Sequence, residues 1–153
     1  MAEQYFAKYT GIVRENRDAE GLGQLGVSVP AIFPPQEVVR ARAALPYGVF
    51  FVPEVGAKVW VEFEGGEPGL PLWTGLHYVP GEWPAEARAD PPTRRLIKSA
   101  TGHFVLFNDR SGEERLEIVS NARIVIRSSG LIELDAPTVA INGRPIVPWP
   151  NAI

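Results

Sequence analysis

The chain has 153 residues, 45% of them hydrophobic, which is enough to bury a core in one ordinary domain or two small ones. Fifteen glycines and fifteen prolines indicate many turns, and a net charge of −3 with dispersed Lys and Arg does not favour a polyanionic partner. The absence of cysteine excludes disulfides and thiolate metal sites. The N-terminal residues lack a basic segment followed by an apolar one, so we expect synthesis in the cytoplasm without a signal peptide.

The first half of the sequence alternates apolar and polar residues in five short stretches, a pattern typical of β-strands. The stretches are residues 7–16, 23–30, 37–43, 57–64 and 70–78. In the fourth stretch, Val59, Val61 and Phe63 fall on one side, opposite Trp60, and so predict one buried face. Five short antiparallel strands with one apolar face close most economically into a small barrel of the OB type, which we predict for residues 1–78.

The second half predicts a different kind of β structure. Residues 79–95 contain four prolines and are interpreted as a Pro-rich linker, and short strands separated by polar turns are predicted from residue 96 to 153. The spacing of eight residues between Leu116, Ile124 and Ile132 indicates a repetitive structure that winds along an axis. A small β-sandwich or hairpin meander packed on the barrel is the alternative. Strands this short leave open edges in a lone chain, which several intertwined copies would remove.

The sequence offers little for catalysis or metal binding. His77 and His103 are far apart and have no further ligand at a recognisable spacing. Glu62 and Glu64 lie on one predicted strand face, and we interpret them as solvated carboxylates rather than as the acid pair of a glycosidase. We therefore expect no enzymatic activity, no metal site and no cofactor.

An alternative function is binding of single-stranded nucleic acid by an OB barrel. Basic and aromatic side chains of the first half could form a cationic groove with stacking surfaces. They are Arg14, Arg17, Arg40, Arg42, Tyr47, Phe50 and Phe51. The negative net charge and the repetitive C-terminal half argue against this function, because a binding module would need neither.

Turn and strand residues from 53 to 75 occur in a characteristic order. They are Pro53, Val55, Gly56, Lys58, Val59, Phe63, Gly66, Glu67, Pro68 and the run from Pro71 to Gly75. This order resembles the OB-fold module of the central spike proteins of contractile injection machines, found in contractile phage tails, phage-like particles and the valine-glycine-repeat spike of type VI secretion. The resemblance covers about residues 8–78 closely and the remainder only in style. The sequence departs from the family at Ala57 and Glu67, where aspartate is frequent.

The resemblance implies an all-β homotrimer: a five-stranded OB-fold barrel followed by a C-terminal intertwined trimeric β-helix, the needle. It implies a membrane-piercing spike at the baseplate centre of a virion tail or assembled injection particle. The implied partners are baseplate hub and tail-tube proteins and the target cell envelope, with no nucleic acid. The candidates for the trimer core are Leu116, Ile118, Ile124, Ile126, Ile132, Leu134, Val139 and Ile141.

The C-terminal residues would form the tip of such a needle. Some relatives carry an iron ion held by a His-x-His pair from each chain, but no histidine or cysteine follows His103 here, so we predict a metal-free tip. Proline cannot donate to a strand ladder, and the prolines from Pro145 onward should end the winding near Val147. The tip candidates are Pro148, Trp149 and Ile153. We expect Trp149 to plug the axis or to dock a separate tip protein of the proline-alanine-alanine-arginine type.

Overall fold

A computed structural model describes residues 3–146 of the chain, which divides into two compact units, Met1–Val119 and Ser120–Ile153. In the first unit the strands are β1 (Tyr9–Glu15), β2 (Leu25–Ser28), β3 (Val39–Ala43), β4 (Lys58–Phe63), β5 (Pro71–Leu76), β6 (Arg94–Lys98), β7 (Phe104–Asn108) and β8 (Arg115–Val119). The second unit contains β9 (Ala140–Ile141) and β10 (Arg144–Pro145). Helix within residues 3–146 is limited to two 3₁₀ turns, Glu64–Gly66 and Ala85–Ala87.

The first five strands form a closed barrel in the order β1-β2-β3-β5-β4, as the OB-type prediction requires. One detail of the prediction is wrong, because β3 and β5 pair in parallel, with Arg42 opposite Leu72 and Ala43 opposite Trp73. An odd number of strands cannot alternate in direction all the way around a closed ring. At least one neighbouring pair must therefore run parallel, and here it is the pair that closes the barrel.

The barrel interior confirms the predicted alternation along the strands. Its buried residues are Val13, Leu25, Val27, Val29, Ala41, Val59, Val61, Phe63 and Trp73. Trp73 is 1% exposed and donates its indole N–H to the Gly23 carbonyl at 2.8 Å, so its polar atom is satisfied inside the core. Burial of each such side chain stabilises the fold by about 1.5–3 kcal/mol.

The turn between β4 and β5 depends on glycine. Gly65 and Gly66 have φ angles of 61° and 77°, in the left-handed region that favours glycine. A Cβ atom at Gly66 would also lie 2.7 Å from ring atoms of Phe6, whereas one at Gly65 would meet nothing within 4 Å. Gly66 therefore both adopts a left-handed backbone conformation and admits an aromatic ring.

The segment interpreted as a linker is held against its neighbours at several points, and we call residues 79–93 the strap. Lys58 pairs with Glu82 at 3.1 Å, and the Val79 N–H and Lys58 together hold the pKa of Glu82 below its usual value. Lys98 pairs with Glu86 at 2.7 Å and lowers the pKa of that carboxyl group in the same way. The strap therefore lies within the first unit, between the barrel and β6, and is paired with both.

Strands β6, β7 and β8 form a three-stranded antiparallel sheet in that order. Of the short strands predicted further on, those within residues 123–129 and 131–137 are not formed in the single chain. A strand requires a neighbour for its backbone hydrogen bonds, and no segment of the described chain supplies one there. Strands β9 and β10 do pair, joined by a tight turn in which Asn142 and Gly143 have φ angles of 50° and 72°.

Candidate assembly interface

The outer face of the three-stranded sheet is apolar. The strand register places Ile97, Val105 and Ile118 in one cross-strand row, and Phe107 beside Leu116 in the next. Four of these side chains are exposed: Ile97 by 55%, Phe107 by 44%, and Leu116 and Ile118 by 59% each. We call these five residues the apolar sheet face. Antiparallel sheets normally present polar side chains to water, so a contiguous apolar face indicates an interaction surface.

The opposite face of the same sheet is buried within the first unit. Leu106 is 4% exposed and Asn108 is 1% exposed. The Asn108 amide donates to the Glu113 carbonyl at 3.0 Å and its oxygen accepts from the Arg110 N–H at 3.3 Å, which satisfies this buried polar group and shapes the β7–β8 turn. The sheet therefore already uses one face for packing within the first unit, while four side chains of its apolar outer face are exposed among the described residues.

Charge on the outer face is compensated locally. Arg95 shares the cross-strand row of Phe107, and its guanidinium forms an ion pair with Asp109. An exposed pair of this kind contributes little to folding, but it removes the net charge that would repel an apolar neighbour. The apolar sheet face is thus suited to another apolar surface.

The free edge of the sheet lies beside this face. The Asp109 N–H donates to the Thr93 C=O and the Ser99 N–H donates to the His103 C=O, which identifies the hydrogen-bonded pairs between β6 and β7. Because hydrogen-bonded and non-bonded pairs alternate along an antiparallel ladder, these bonds also determine which residues of β8 bond to β7. By this alternation, Leu116 and Ile118 direct their backbone N–H and C=O groups away from β7. An open edge that carries exposed apolar side chains is a surface where another strand can add.

The other predicted core residues lie in the second unit and are exposed in the single chain. The exposed fractions are 51% for Ile124, 69% for Ile126, 50% for Ile132, 72% for Leu134 and 63% for Ile141, and Val139 is half-buried. The structure brings only Leu116 and Ile118 of the predicted set together on one strand face. The tip candidates Pro148, Trp149 and Ile153 lie outside the described residues.

Sequence reasoning missed three members of the apolar sheet face: Ile97, Val105 and Phe107. The signal was present, because Val105 and Phe107 alternate with Leu106 and Asn108, and Ile97 follows Leu96. Alternation alone does not tell which of two apolar sides faces inward. The pairing register supplied that information.

The discounted sites have structural explanations. His77 stacks on the ring of Trp60 with centroids 4.0 Å apart, and its Nδ1 atom lies 2.9 Å from the Thr10 hydroxyl, which is a surface packing arrangement. Within residues 3–146 no three His, Cys, Asp or Glu side chains come together as a metal site would require. In that same range no helix has the length and apolarity needed to cross a bilayer.

Two of the four arginines in the alternative nucleic-acid groove are paired with carboxylates. Arg40 pairs with Glu15 at 3.5 Å, Arg42 forms an ion pair with Glu64, and Arg14 donates to the Ser28 hydroxyl at 2.9 Å. Guanidinium groups already engaged by carboxylates leave less positive potential for a phosphate backbone.

Comparison with known proteins identifies the barrel. Residues 9–78 match the family model of the type VI secretion system/phage-baseplate injector OB domain. The chain is also 28% identical over 118 residues to the actin cross-linking toxin VgrG1 of Vibrio cholerae serotype O1 (strain ATCC 39541 / Classical Ogawa 395 / O395). That alignment covers 73% of this chain, which spans about a tenth of the length of the curated relative. The matched residues contain all five barrel strands, so the barrel is similar to the injector OB domain, and the resemblance to a spike or baseplate hub protein is confirmed.

Proposed function

We propose that this chain is a structural component of a contractile tail or injection machine and acts as a trimeric, membrane-piercing spike at the baseplate centre. The family of the barrel supports a place in the baseplate. The observation that carries the trimer is the apolar sheet face with its adjoining open edge, because both are complete only when other chains cover them.

Three copies around an axis would satisfy both features. Each chain would turn its apolar sheet face toward the axis, and the exposed isoleucines and leucines of the second unit would continue the buried stripe as an intertwined β-helical needle. Complete burial of one Ile or Leu side chain contributes about 1.5–3 kcal/mol, so a stripe of this length offsets the cost of association. Cyclic closure also leaves no strand edge unpaired.

The proposed action is mechanical and not enzymatic. The barrel would contact baseplate hub and tail-tube proteins, and the needle would transmit axial force from a contracting sheath to the target cell envelope. The place of action would be a virion tail or an assembled injection particle. We propose a metal-free needle end, capped by its own Trp149 or by a separate tip protein. The relative named as an actin cross-linking toxin is about ten times longer than the matched segment, so its named activity is not proposed for this chain.

The molar mass of the purified protein tests the proposal directly. Light scattering at micromolar concentration should give three times the chain mass of 16.8 kDa. Phe107→Asp should abolish the trimer, because three carboxylates would be buried near one axis. Leu70→Asp is the matched control, since Leu70 is also 44% exposed but lies in the β4–β5 turn of the barrel. A monomeric wild-type protein, or equal loss of trimer in both variants, would refute the trimeric spike.

A further inference from the structure

A second surface also lies within the first unit. It is a groove of about 770 Å³ between the barrel and β6. One wall is the β3–β4 loop from Phe50 to Ala57 together with the end of β5, and the other wall is β6 with part of the strap. The volume is in the range of specific binding clefts.

The wall formed by β6 is an unpaired strand edge. Thr93 and Ser99, just outside the two ends of β6, are hydrogen-bonded to residues that flank β7. Because bonded positions alternate along an antiparallel ladder, Arg95 and Ile97 are the residues of β6 that bond to β7. Arg94, Leu96 and Lys98 therefore direct their backbone N–H and C=O groups away from β7, and all three residues line the groove. Within residues 3–146 these groups have no backbone partner. The groove thus presents a ready row of donors and acceptors at strand spacing.

Aromatic side chains line the remainder of the groove. Tyr78 and Trp83 stack with ring centroids 4.5 Å apart, and Trp83 is 59% exposed. Phe50 and Phe51 are exposed by 63% and 53% on the facing loop. Rigid aromatic surfaces of this kind provide most of the binding energy in peptide and protein interfaces.

The groove offers one unpaired cation to an occupant. Among the lining residues Arg94 and Lys98 are cationic and Glu54 is anionic, while Arg95 also borders the groove but shares the cross-strand row of Phe107 on the outer face. Arg95 and Lys98 are already paired, with Asp109 and Glu86. Arg94 forms no ion pair within the part of the chain that the structure describes, so its guanidinium is available to a carboxylate.

We propose that this groove binds an extended segment of a partner protein, which adds to β6 as a fourth strand. Its backbone would pair with Arg94, Leu96 and Lys98, its apolar side chains would contact the aromatic wall, and an acidic side chain would pair with Arg94. The partner is thus an extended, apolar and acidic peptide segment. This goes beyond the spike proposal, which uses the opposite edge of the sheet and its outer face.

A defined peptide tests the proposal on the full chain. The probe is a fluorescein-labelled heptapeptide, Thr-Val-Thr-Phe-Thr-Glu-Thr, whose Val, Phe and Glu fall on one side of an extended strand. We expect saturable binding by fluorescence anisotropy, weakened about tenfold or more by Arg94→Glu and by replacement of the peptide Glu with Lys. Arg17→Glu is the matched control and should leave the affinity unchanged within about twofold, because Arg17 is exposed on the barrel outside the groove.

Backbone methylation distinguishes strand addition from adhesion to aromatic residues. Two further peptides carry N-methyl groups on alternate residues, so that each peptide loses the N–H donors of one edge of the added strand. Only the version methylated on the edge that meets β6 should lose binding. No saturable binding up to about 1 mM, corresponding to a free energy weaker than about −4 kcal/mol, overturns the proposal, as does equal binding of both methylated versions.

A second copy of the chain is the competing occupant. Hydrogen exchange resolved to single amides, measured without peptide, should show fast exchange at Leu96 and Lys98 and slowing when the peptide is added. Slow exchange at both amides before any peptide is present would mean that another copy already covers the edge, and it would overturn the proposal. A monomeric mass would refute the spike but would not affect this test, because the groove lies within one chain.

Discussion

The barrel and the segment after the strap use the same alternation of apolar and polar residues for opposite outcomes. In the barrel, Val59 and Val61 are fully buried and every strand has two neighbours. In the three-stranded sheet, Leu116 and Ile118 alternate in the same way yet are both 59% exposed, on a strand with one open edge. The difference is closure, because a closed ring encloses its apolar side chains while an open sheet depends on something else to cover them.

The comparison separates two kinds of stability. Barrel residues should contribute to the unfolding free energy of the single chain, which is independent of concentration. Residues of the apolar sheet face and of the second unit should contribute mainly to association, which depends on concentration. Mutations in the two regions therefore need different measurements.

The largest effect is expected in the second unit, from Ile126→Asp. If Ile126 lines the trimer axis, the substitution buries three like charges together, each at a cost of several kcal/mol, and the trimer should be lost. Arg127→Asp is the matched control and should be mild, since the neighbouring position lies on the other side of a strand. Light scattering of both variants measures the outcome, and comparable loss of trimer would show that the two faces are wrongly assigned.

A barrel substitution should act on the single chain instead. Trp73→Ala should lower the unfolding free energy by about 3–5 kcal/mol, because it leaves a cavity and an unsatisfied Gly23 carbonyl. Trp60→Ala is the control, since Trp60 is only half-buried on the outer side of β4 and should cost about 1 kcal/mol. Urea unfolding followed by fluorescence compares them. Similar losses would mean that the barrel interior is not the main source of stability.

A smaller effect should distinguish the two glycines of the β4–β5 turn. Gly65→Ala should cost about 1 kcal/mol for the left-handed backbone alone. Gly66→Ala should cost about 1 kcal/mol more, because its new methyl group would displace the Phe6 ring. Thermal unfolding of the two variants measures the difference, and equal midpoints would contradict a close Gly66–Phe6 contact.

The smallest effect concerns acid stability of the barrel. Asp18 accepts backbone N–H groups of Gln24, Leu22 and Glu20, and the Gln24 N–H contributes most to holding the pKa of Asp18 below its ordinary value. A lowered folded-state pKa contributes stability above the unfolded pKa of about 3.9, which is lost as pH falls through the folded value. Asp18→Asn should therefore lower the urea midpoint slightly at about pH 7, with a smaller difference near pH 2–3. A difference that grows toward acid would reverse this sign.

The sequence by itself determined the five barrel strands, their buried faces and the resemblance of the barrel to the injector OB domain. These features are local: alternation marks the buried side of each strand, and turns that require positive φ or proline mark where strands end. Val59 and Val61 are therefore buried in the structure, as the alternation in their strand predicted.

Only the tertiary structure decided how the strands pair. It showed that β3 runs parallel to β5, that the strap is tied by Lys58 and Lys98, and that Phe107 shares an outer face with Leu116. It also showed that β6 is an edge strand of its sheet and that its residues line a groove with aromatic side chains. Pairing joins residues that are distant in the chain, and side-chain alternation is the same for every register that differs by two residues. The register of each strand pair is therefore decided only when the complete set of strands packs together.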